Sequence, residues 1–214
     1  MSFARRSIVI LCASFLTGAL QGCAASYEVV QLPQRQADLY PLSQTKNGIT
    51  IAIDEIKGQA RAERYFGADL IKAGILPVMV VVSNYSEQPV LMRPSDILLH
   101  RGREILDPLP IDTVLSVAKS QHWFLRSRTE EQIEDFFESL VFTETALSAE
   151  DTYQGVLFFS LPKVSKRRDT TFIMSTLFRE GGPKVRVGVT QPQTGERLYF
   201  GPFTLSLPEE MRAY

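Results

Sequence analysis

Hydrophobic and polar residues alternate along much of the chain from residue 48 onward, which is typical of strands with one buried face. Ile49, Ile51 and Ile53 share one face of the first such strand. Residues 75–82 are almost continuously hydrophobic, as in a central strand that is buried on both faces. Similar segments, separated by turn residues, lie at residues 90–92, 97–99, 104–106, 155–161, 171–178, 185–189, 197–200 and 203–207. About nine short strands with frequent turns predict a mainly β fold, a β-sandwich.

A short helical insertion is expected to interrupt these strands at about residues 111–150. Residues 129–142 carry the clearer helix signal, because Thr129 and Gln132 fit a capping box. The hydrophobic residues that follow recur at helical spacing and form one stripe, which consists of Ile133, Phe136, Phe137, Leu140 and Val141. Residues 112–121 are expected to form a shorter helix before it.

The first 22 residues are built like a secretory signal peptide, with Arg5 and Arg6 before a hydrophobic stretch at residues 8–20. The alternative is an uncleaved membrane helix, but this stretch is shorter than the roughly 20 residues that span a bilayer. Residues 20–23, Leu-Gln-Gly-Cys, resemble the lipobox of bacterial lipoproteins, whose cysteine is acylated and becomes the mature N-terminus. The resemblance implies that residues 1–22 are removed and that Cys23 carries the lipid, including palmitate.

The lipobox resemblance also implies a location. Ala24 follows the cysteine, and in such lipoproteins an aspartate at this position usually signals retention in the inner membrane. The expected location is therefore the outer membrane, with the domain facing the periplasm. Residues 23–46, rich in Gln, Pro, Ser and Ala, are expected to be the lipidated N-terminus and a flexible tether with a reach of roughly 25 Å. Residues 47–214 are expected to form the β-sandwich domain.

Charge and cysteine content narrow the possible partners. The chain has 23 Lys and Arg residues against 24 Asp and Glu residues, and removing Arg5 and Arg6 with the signal leaves 21 against 24. Such a balance argues against a nucleic-acid partner, which would need a basic face. Cys12 leaves with the signal and Cys23 takes the lipid, so the mature domain is expected to have no disulfide.

The sequence contains no recognisable catalytic or cofactor motif. His100 and His122 are the two histidines, and neither has a metal-ligand spacing. A nucleophile elbow, a phosphate-binding loop and a dinucleotide fingerprint are all missing. Asp96 lies near His100 in sequence, but such pairs often arise by chance. We therefore expect a protein that is not an enzyme and that has no metal or other cofactor, although a site assembled from distant residues stays possible.

A basic cluster lies between two predicted strands and consists of Lys163, Lys166, Arg167 and Arg168. It is a candidate contact for anionic lipid headgroups, lipopolysaccharide phosphates or acidic cell-wall groups. The alternative is a solvated hairpin tip, which is favoured because clusters of this size are common on protein surfaces.

Several aromatic residues are candidate contacts for a protein partner, namely Tyr65, Phe66, Trp123, Phe136 and Phe137. The alternative is packing in the core or under a loop, which is more common for aromatic side chains. For the adjacent pair Phe136 and Phe137, at least one is expected in the core, since neighbouring helical positions point about 100° apart.

Residues 65–84 carry a second resemblance. Tyr65-Phe66-Gly67-Ala68-Asp69-Leu70-Ile71-Lys72-Ala73-Gly74-Ile75-Leu76-Pro77-Val78 and the valine-rich strand after it resemble poorly characterised Gram-negative outer-membrane lipoproteins with an immunoglobulin-like domain. The resemblance implies an envelope location and a sandwich fold but no activity. From the residues alone, 61–73 are expected to be a loop with one or two helical turns, because Gly67 weakens the helical pattern.

These observations lead to three hypotheses about function. The first is a membrane-anchored envelope lipoprotein that acts as a non-enzymatic interaction or structural module with an envelope protein partner. The alternative is an accessory lipoprotein that binds a small molecule or lipid in a pocket between sandwich and insertion. The third is an envelope hydrolase. A flat apolar patch, a deep apolar pocket or converging titratable groups would distinguish them.

Overall fold

The computed structural model describes residues 30–120, 129–161 and 181–206. In these ranges the chain forms ten strands and three short α-helices. The strands are β1 (Ser43–Lys46), β2 (Ile49–Glu55), β3 (Ile75–Asn84), β4 (Val90–Met92), β5 (Ile97–Arg101), β6 (Glu104–Leu106), β7 (Thr145–Leu147), β8 (Thr152–Ser160), β9 (Lys184–Thr190) and β10 (Arg197–Thr204). The helices are α1 (Gln59–Phe66), α2 (Ile111–Ser120) and α3 (Glu130–Leu140).

The strands form two antiparallel sheets, which confirms the prediction of a mainly β sandwich. The first sheet has the order β1-β2-β3-β8, and the second has the order β6-β5-β9-β4-β7 with β10 also paired to β9. Strands β4 and β5 pair with successive parts of the same strand β9, because a short 3-10 turn at Pro94–Asp96 interrupts them. The pairings β2-β3-β8 and β5-β9-β10 match the A-B-E and C-F-G strands of immunoglobulin-like folds.

Strand β3 lies at the centre of the first sheet and is buried along its whole length. Strands β2 and β8 cover its two edges, and its side chains alternate between two packed layers. Asn84 lies on the side of the second sheet and bonds to the carbonyl of Leu147 in β7. Ser83 lies on the opposite side, where its hydroxyl accepts a hydrogen bond from the backbone N–H of Ala37. The continuous hydrophobic run therefore reflects burial on both faces, as predicted.

Both predicted helices of the insertion are present. The prediction of 112–121 corresponds to α2, and that of 129–142 corresponds to α3. Thr129 and Gln132 form the predicted capping box, in which each side chain bonds to the backbone N–H of the other residue. The weaker pattern at 61–73 corresponds to α1, which ends at Gly67 with φ 66°. Glycine adopts this left-handed conformation without steric cost, so the residue that weakened the pattern ends the helix.

An aromatic cluster joins α1 and α3 to the outer face of the first sheet. The ring centroids of Phe66 and Phe137 are 6.2 Å apart, and Phe158 of β8 lies 5.6 Å from Phe66 and 6.3 Å from Phe137. All three side chains are among the largest fully buried ones. The two helices therefore belong to the hydrophobic core.

The predicted tether at residues 23–46 extends too far toward the C-terminus. Leu32, Ala37 and Tyr40 are buried in the core, and residues 43–46 are strand β1, paired in register with β2. Residues 30–42 cross the sheet mostly as irregular chain and expose most of their polar side chains. Their apolar residues therefore follow neither a strand period nor a helix period. Residues 30–46 are therefore part of the folded domain and not a flexible tether.

A buried hydroxyl contributes to the docking of this N-terminal segment. The Ser83 hydroxyl lies 2.9 Å from the backbone nitrogen of Ala37 and 2.9 Å from the Thr152 hydroxyl. We expect Ser83→Ala to lower the free energy of unfolding by about 1–2 kcal/mol, because the Ala37 N–H stays buried without a partner. Thermal melts and limited proteolysis check this. The exposed Ser95→Ala is the control, and equal melts for the two variants would contradict the role of Ser83.

Several predictions fall on residues outside the described ranges. These are the signal peptide at 1–22, the lipidation site Cys23, Trp123, the basic cluster and the strand at 171–178. No helix within the described ranges combines the length and hydrophobicity that crossing a bilayer requires.

Candidate functional site: a groove beside the edge of β8

The insertion covers only part of the exposed edge of the first sheet. β8 is the last strand of this sheet, and its carbonyl groups at Phe158 and Val156 accept hydrogen bonds from the backbone nitrogens of Leu109 (2.7 Å) and Phe142 (3.0 Å). Both donors belong to the chain that enters and leaves the two insertion helices. Covering an edge in this way protects it from unwanted pairing.

Gly155 makes this close approach possible. A Cβ atom at this position would lie 2.5 Å from the Cα atom of Phe142 and 2.8 Å from its backbone nitrogen. Real Cβ atoms do not come so close to backbone atoms, so any larger residue would displace the insertion from β8. The ring of Phe142 then packs edge-on against Tyr153, with centroids 5.1 Å apart.

Within residues 30–120, 129–161 and 181–206, the remaining part of the β8 edge has no backbone partner. In an antiparallel strand, every second residue directs both its N–H and its C=O to the same side. The carbonyl of Val156 points away from β3 toward Phe142, so the backbone groups of Gln154 and Thr152 also point away from β3. No backbone group in the described ranges pairs with them. Two donors and two acceptors along this edge are therefore without a backbone partner in the part of the chain that the structure describes.

A groove runs beside this open edge. It consists of two adjoining cavities of about 410 Å³ and about 260 Å³. Gln34 of the N-terminal segment and Gln154 of β8 line both of them. The larger cavity is completed by Arg35, Gln36, Thr152 and Tyr153, and the smaller by Gln31, Leu32, Phe136, Ser139, Leu140 and Gly155.

The chemistry of the groove is mostly neutral and polar. Its glutamine amides can each donate and accept hydrogen bonds, and Arg35 is the one side chain among the lining residues with a formal charge. The Oε1 atom of Gln154 is buried and has no hydrogen-bond partner in the described residues. A buried amide oxygen without a partner is costly. The groove is therefore suited to a polar ligand that can donate to and accept from its glutamine amides.

The larger cavity does not resemble a catalytic site. The residues that line the two cavities include neither a histidine nor a carboxylate. The hydroxyl of Tyr153 is already engaged by the backbone N–H of Thr143 at 3.0 Å. In the described ranges, no group of three or more His, Cys, Asp or Glu side chains is placed to hold a metal ion.

The sequence pair Asp96 and His100 does not form a catalytic dyad. Asp96 precedes β5 and bonds to Arg197 of β10 at 2.5 Å. His100 lies four residues farther along this extended segment, opposite Lys184 of β9. At about 3.3 Å per residue, strand geometry separates the two side chains by roughly 13 Å.

Among the predicted partner contacts, Phe66 and Phe137 are fully buried. They are core residues, so the prediction that either offers a contact surface was wrong. Phe136 packs edge-to-face against Phe137 and lines the smaller cavity. Tyr65 is half-buried, with the guanidinium of Arg61 5.6 Å from its ring centroid. Among the candidates that the structure describes, Phe136 is the one that lines the groove.

Tyr65 belongs to a charged cluster with Arg61 and Asp54. Arg61 forms an ion pair with both carboxylate oxygens of Asp54 and also donates a hydrogen bond to the backbone carbonyl of Glu55 at 2.8 Å. Burial, together with the Asp54 carboxylate, raises the pKa of Tyr40 in the same cluster. The phenol therefore stays neutral, and the cluster fixes α1 against β2.

The resemblance segment also contains a buried carboxyl group. Asp69 accepts a hydrogen bond from the backbone N–H of Lys72 at 3.0 Å, and its other oxygen has no partner in the described residues. Burial raises the pKa of this carboxyl group, against the opposing effect of the Lys72 hydrogen bond. Asp69 therefore closes the turn that follows α1.

The sequence pattern did not indicate that residues of the N-terminal segment would line a groove. Gln31, Gln34, Arg35 and Gln36 fall in the segment that was predicted to be a tether. Their glutamine-rich composition was visible, but composition alone does not indicate that a segment packs beside a strand.

No protein family model matches the sequence, and no curated protein matches it. Solved structures with a partly similar arrangement include ycdA of Bacillus subtilis, a candidate lipoprotein, with 12% identity and a TM-score of 0.40. The match covers 84% of this chain, which spans 42% of the length of ycdA. The yjhA protein of Bacillus subtilis has 7% identity and a TM-score of 0.36. This match covers 75% of the present chain and 95% of yjhA. Scores this low carry no argument about function.

Proposed function

We propose that this protein is a lipid-anchored lipoprotein of the bacterial envelope whose β-sandwich acts as a non-enzymatic interaction module. The observation that carries the proposal is the run Leu-Gln-Gly-Cys at residues 20–23, directly after a charged and then hydrophobic segment. A cysteine at this position has a chemical role that a general secretory signal does not need. With Ala24 after Cys23, the proposed location is the periplasmic side of the outer membrane.

The position of the folded domain limits its distance from the membrane. Six residues, 24–29, separate Cys23 from Val30. Even a fully extended chain of this length spans only about 20 Å. The backbone N–H of Val30 bonds to the carbonyl of Arg64 near the end of α1. The side of the sandwich that carries α1 and the groove would therefore lie near the lipid surface.

Lipid chemistry explains why acylation would suffice as an anchor. Each buried methylene contributes about 0.8 kcal/mol, and a single myristoyl chain holds a protein only marginally. The three chains of a mature lipoprotein hold it stably, so the domain would need no membrane-spanning segment of its own.

A second candidate function is supported by the place of the groove. An accessory lipoprotein would bind its ligand between sandwich and insertion, and the smaller cavity lies between β8 and α3. The lining is rich in amide groups, which favours a polar ligand over a lipidic one. The hydrolase hypothesis has weaker support, since the lining lacks an acid–base pair among the described residues.

The anchor is tested by Cys23→Ser in the full chain. We expect the unprocessed, slower-migrating precursor to accumulate and acylation to be lost, because serine has no thiol to accept the first lipid. Gel mobility, mass spectrometry and metabolic labelling with palmitate measure this. Cys12→Ser is the matched control and should be processed normally. A Cys23→Ser protein that is still cut after Gly22 and acylated would overturn the proposal.

A second variant tests the sorting step separately. Ala24→Asp should leave Cys23 acylated but move the protein from the outer to the inner membrane fraction. An acylated Ala24→Asp protein that stays with the outer membrane would contradict the proposed sorting, while the anchor itself would stand.

A further inference from the structure

We propose that the groove binds an extended peptide segment of a partner protein, which pairs as an added strand with the open edge of β8 at Thr152 and Gln154. The inference rests on the proposed function, in that it names the class of partner that an envelope interaction module would take. Its evidence is separate, because it depends on β8 and the N-terminal segment and not on the lipobox.

The backbone groups of Thr152 and Gln154 point in the direction that an added strand requires. Thr152 and Gln154 are paired side by side with Ser83 and Val81 of β3, but their N–H and C=O groups point to the opposite side. They are two residues apart, which is the spacing at which an incoming strand offers its own N–H and C=O groups. An added strand of three or four residues would satisfy all four groups.

Among the described residues, the edge of β8 lacks a backbone partner at Thr152 and Gln154, beside the groove. The insertion covers the edge at Val156 and Phe158. Proteins usually protect an uncovered edge with charged side chains, proline or a bulge. Residues 152–154 are Thr, Tyr and Gln, and their pairing with β3 is regular. This part of the edge has none of the common protections.

The N-terminal segment, which forms the other wall of the larger cavity, also offers hydrogen-bonding side chains. Gln34 and Gln36 of the N-terminal segment lie across the larger cavity from β8 and can bond to the far side of an added strand. The amide of Gln154 lines both cavities and can likewise donate and accept hydrogen bonds. A peptide chain offers such groups at every residue.

The side chains of the groove indicate which peptides would be preferred. Arg35 is the one formal charge of the lining and would favour an acidic side chain in the larger cavity. Leu32 and Leu140 in the smaller cavity would favour an apolar side chain. A peptide that binds through its backbone, with an acidic and an apolar side chain on alternate positions, therefore fits both cavities.

The test uses the full lipidated chain in detergent micelles and a phage-displayed library of random dodecapeptides. We expect enrichment of peptides with acidic and apolar residues, and the best of them is then synthesised and its Kd measured by fluorescence anisotropy. Gln154→Pro removes the N–H that points away from β3 and keeps the hydrogen bonds between β8 and β3. It should raise the Kd of the peptide about tenfold or more. Ser160→Pro, at an outward position of β8 away from the groove, is the matched control and should leave Kd unchanged.

Two measurements on the wild-type protein test the same pairing without any substitution. Peptide binding should slow hydrogen exchange at the amides of Thr152 and Gln154, while a peptide that is N-methylated at alternate residues should fail to bind. This outcome can be read even if Gln154→Pro does not fold. The proposal is overturned if no peptide is enriched, if both proline variants bind alike, or if an oligosaccharide such as chitotetraose binds instead.

The two proposals fail in distinguishable ways. An acylated protein that binds no peptide would overturn the peptide inference and leave the anchor intact. Peptide binding by a protein that is never acylated would overturn the anchor and leave the groove intact.

Discussion

Phe137→Ala is expected to lower the free energy of unfolding by about 3–5 kcal/mol. The side chain is fully buried, and its ring lies between Phe66 of α1, Phe158 of β8 and Phe136 of its own helix. Removing the ring leaves a cavity where three elements meet, and the neighbouring rings belong to fixed helices and strands that can fill it only in part. The loss would be a large share of a typical stability of 5–15 kcal/mol.

The adjacent Phe136→Ala is the matched control. Phe136 is half-buried at the groove, so its removal should cost about 1–2 kcal/mol. Thermal and urea melts of both variants, measured at equal protein concentration, give the comparison. A Phe137→Ala melt that is no lower than that of Phe136→Ala would show that α3 is not anchored by this cluster.

Asn84→Ala is expected to destabilise the protein by about 3–5 kcal/mol, because one buried side chain connects three segments. Its amide nitrogen donates to the carbonyls of Gln88 (2.9 Å), Leu147 (3.2 Å) and Ser148 (3.0 Å). Its amide oxygen accepts from the backbone N–H of Ser86 at 3.1 Å and from the Ser86 hydroxyl at 2.6 Å. Alanine would remove all of these hydrogen bonds at the end of β3, although the Gln88 carbonyl keeps its bond from the Ser86 hydroxyl at 3.0 Å.

The expected consequence goes beyond the local turn. Asn84 ties the turn before β4 to the segment between β7 and β8, so its loss should loosen the contact between the two sheets. Ser86→Ala removes only the hydroxyl and should cost about 1 kcal/mol. Urea melts measure both variants, and hydrogen exchange should show faster opening of β7 in Asn84→Ala alone. Equal losses in the two variants would contradict the central role of Asn84.

The fold class and several elements followed from local patterns in the sequence. The period of two at Ile49, Ile51 and Ile53 correctly placed β2, and the uninterrupted hydrophobic run correctly placed β3. The capping box at Thr129 and Gln132 correctly marked the start of α3. Each of these signals depends on neighbours within a few residues, so it can be read without knowing the rest of the fold. The lipobox resemblance is equally local and yields the proposal for Cys23.

The packing of residues 30–46 could not be read in the same way. Leu32, Ala37 and Tyr40 are buried, but their spacing has no regular period because the chain between them is irregular. Their burial depends on the outer face of the first sheet, whose contributing residues lie far away in sequence. The Ser83 hydroxyl that receives the Ala37 N–H is 46 residues distant.

The sequence by itself therefore determined the sandwich, its central strand, the helices of the insertion and the candidate anchor at Cys23. Only the tertiary structure decided that Phe66 and Phe137 are core residues, because an amphipathic stripe shows a buried face without naming what buries it. The groove also required the tertiary structure. Its walls come from residues 31–36, 136–140 and 152–155, and a surface between distant segments arises only when the strands and helices have packed.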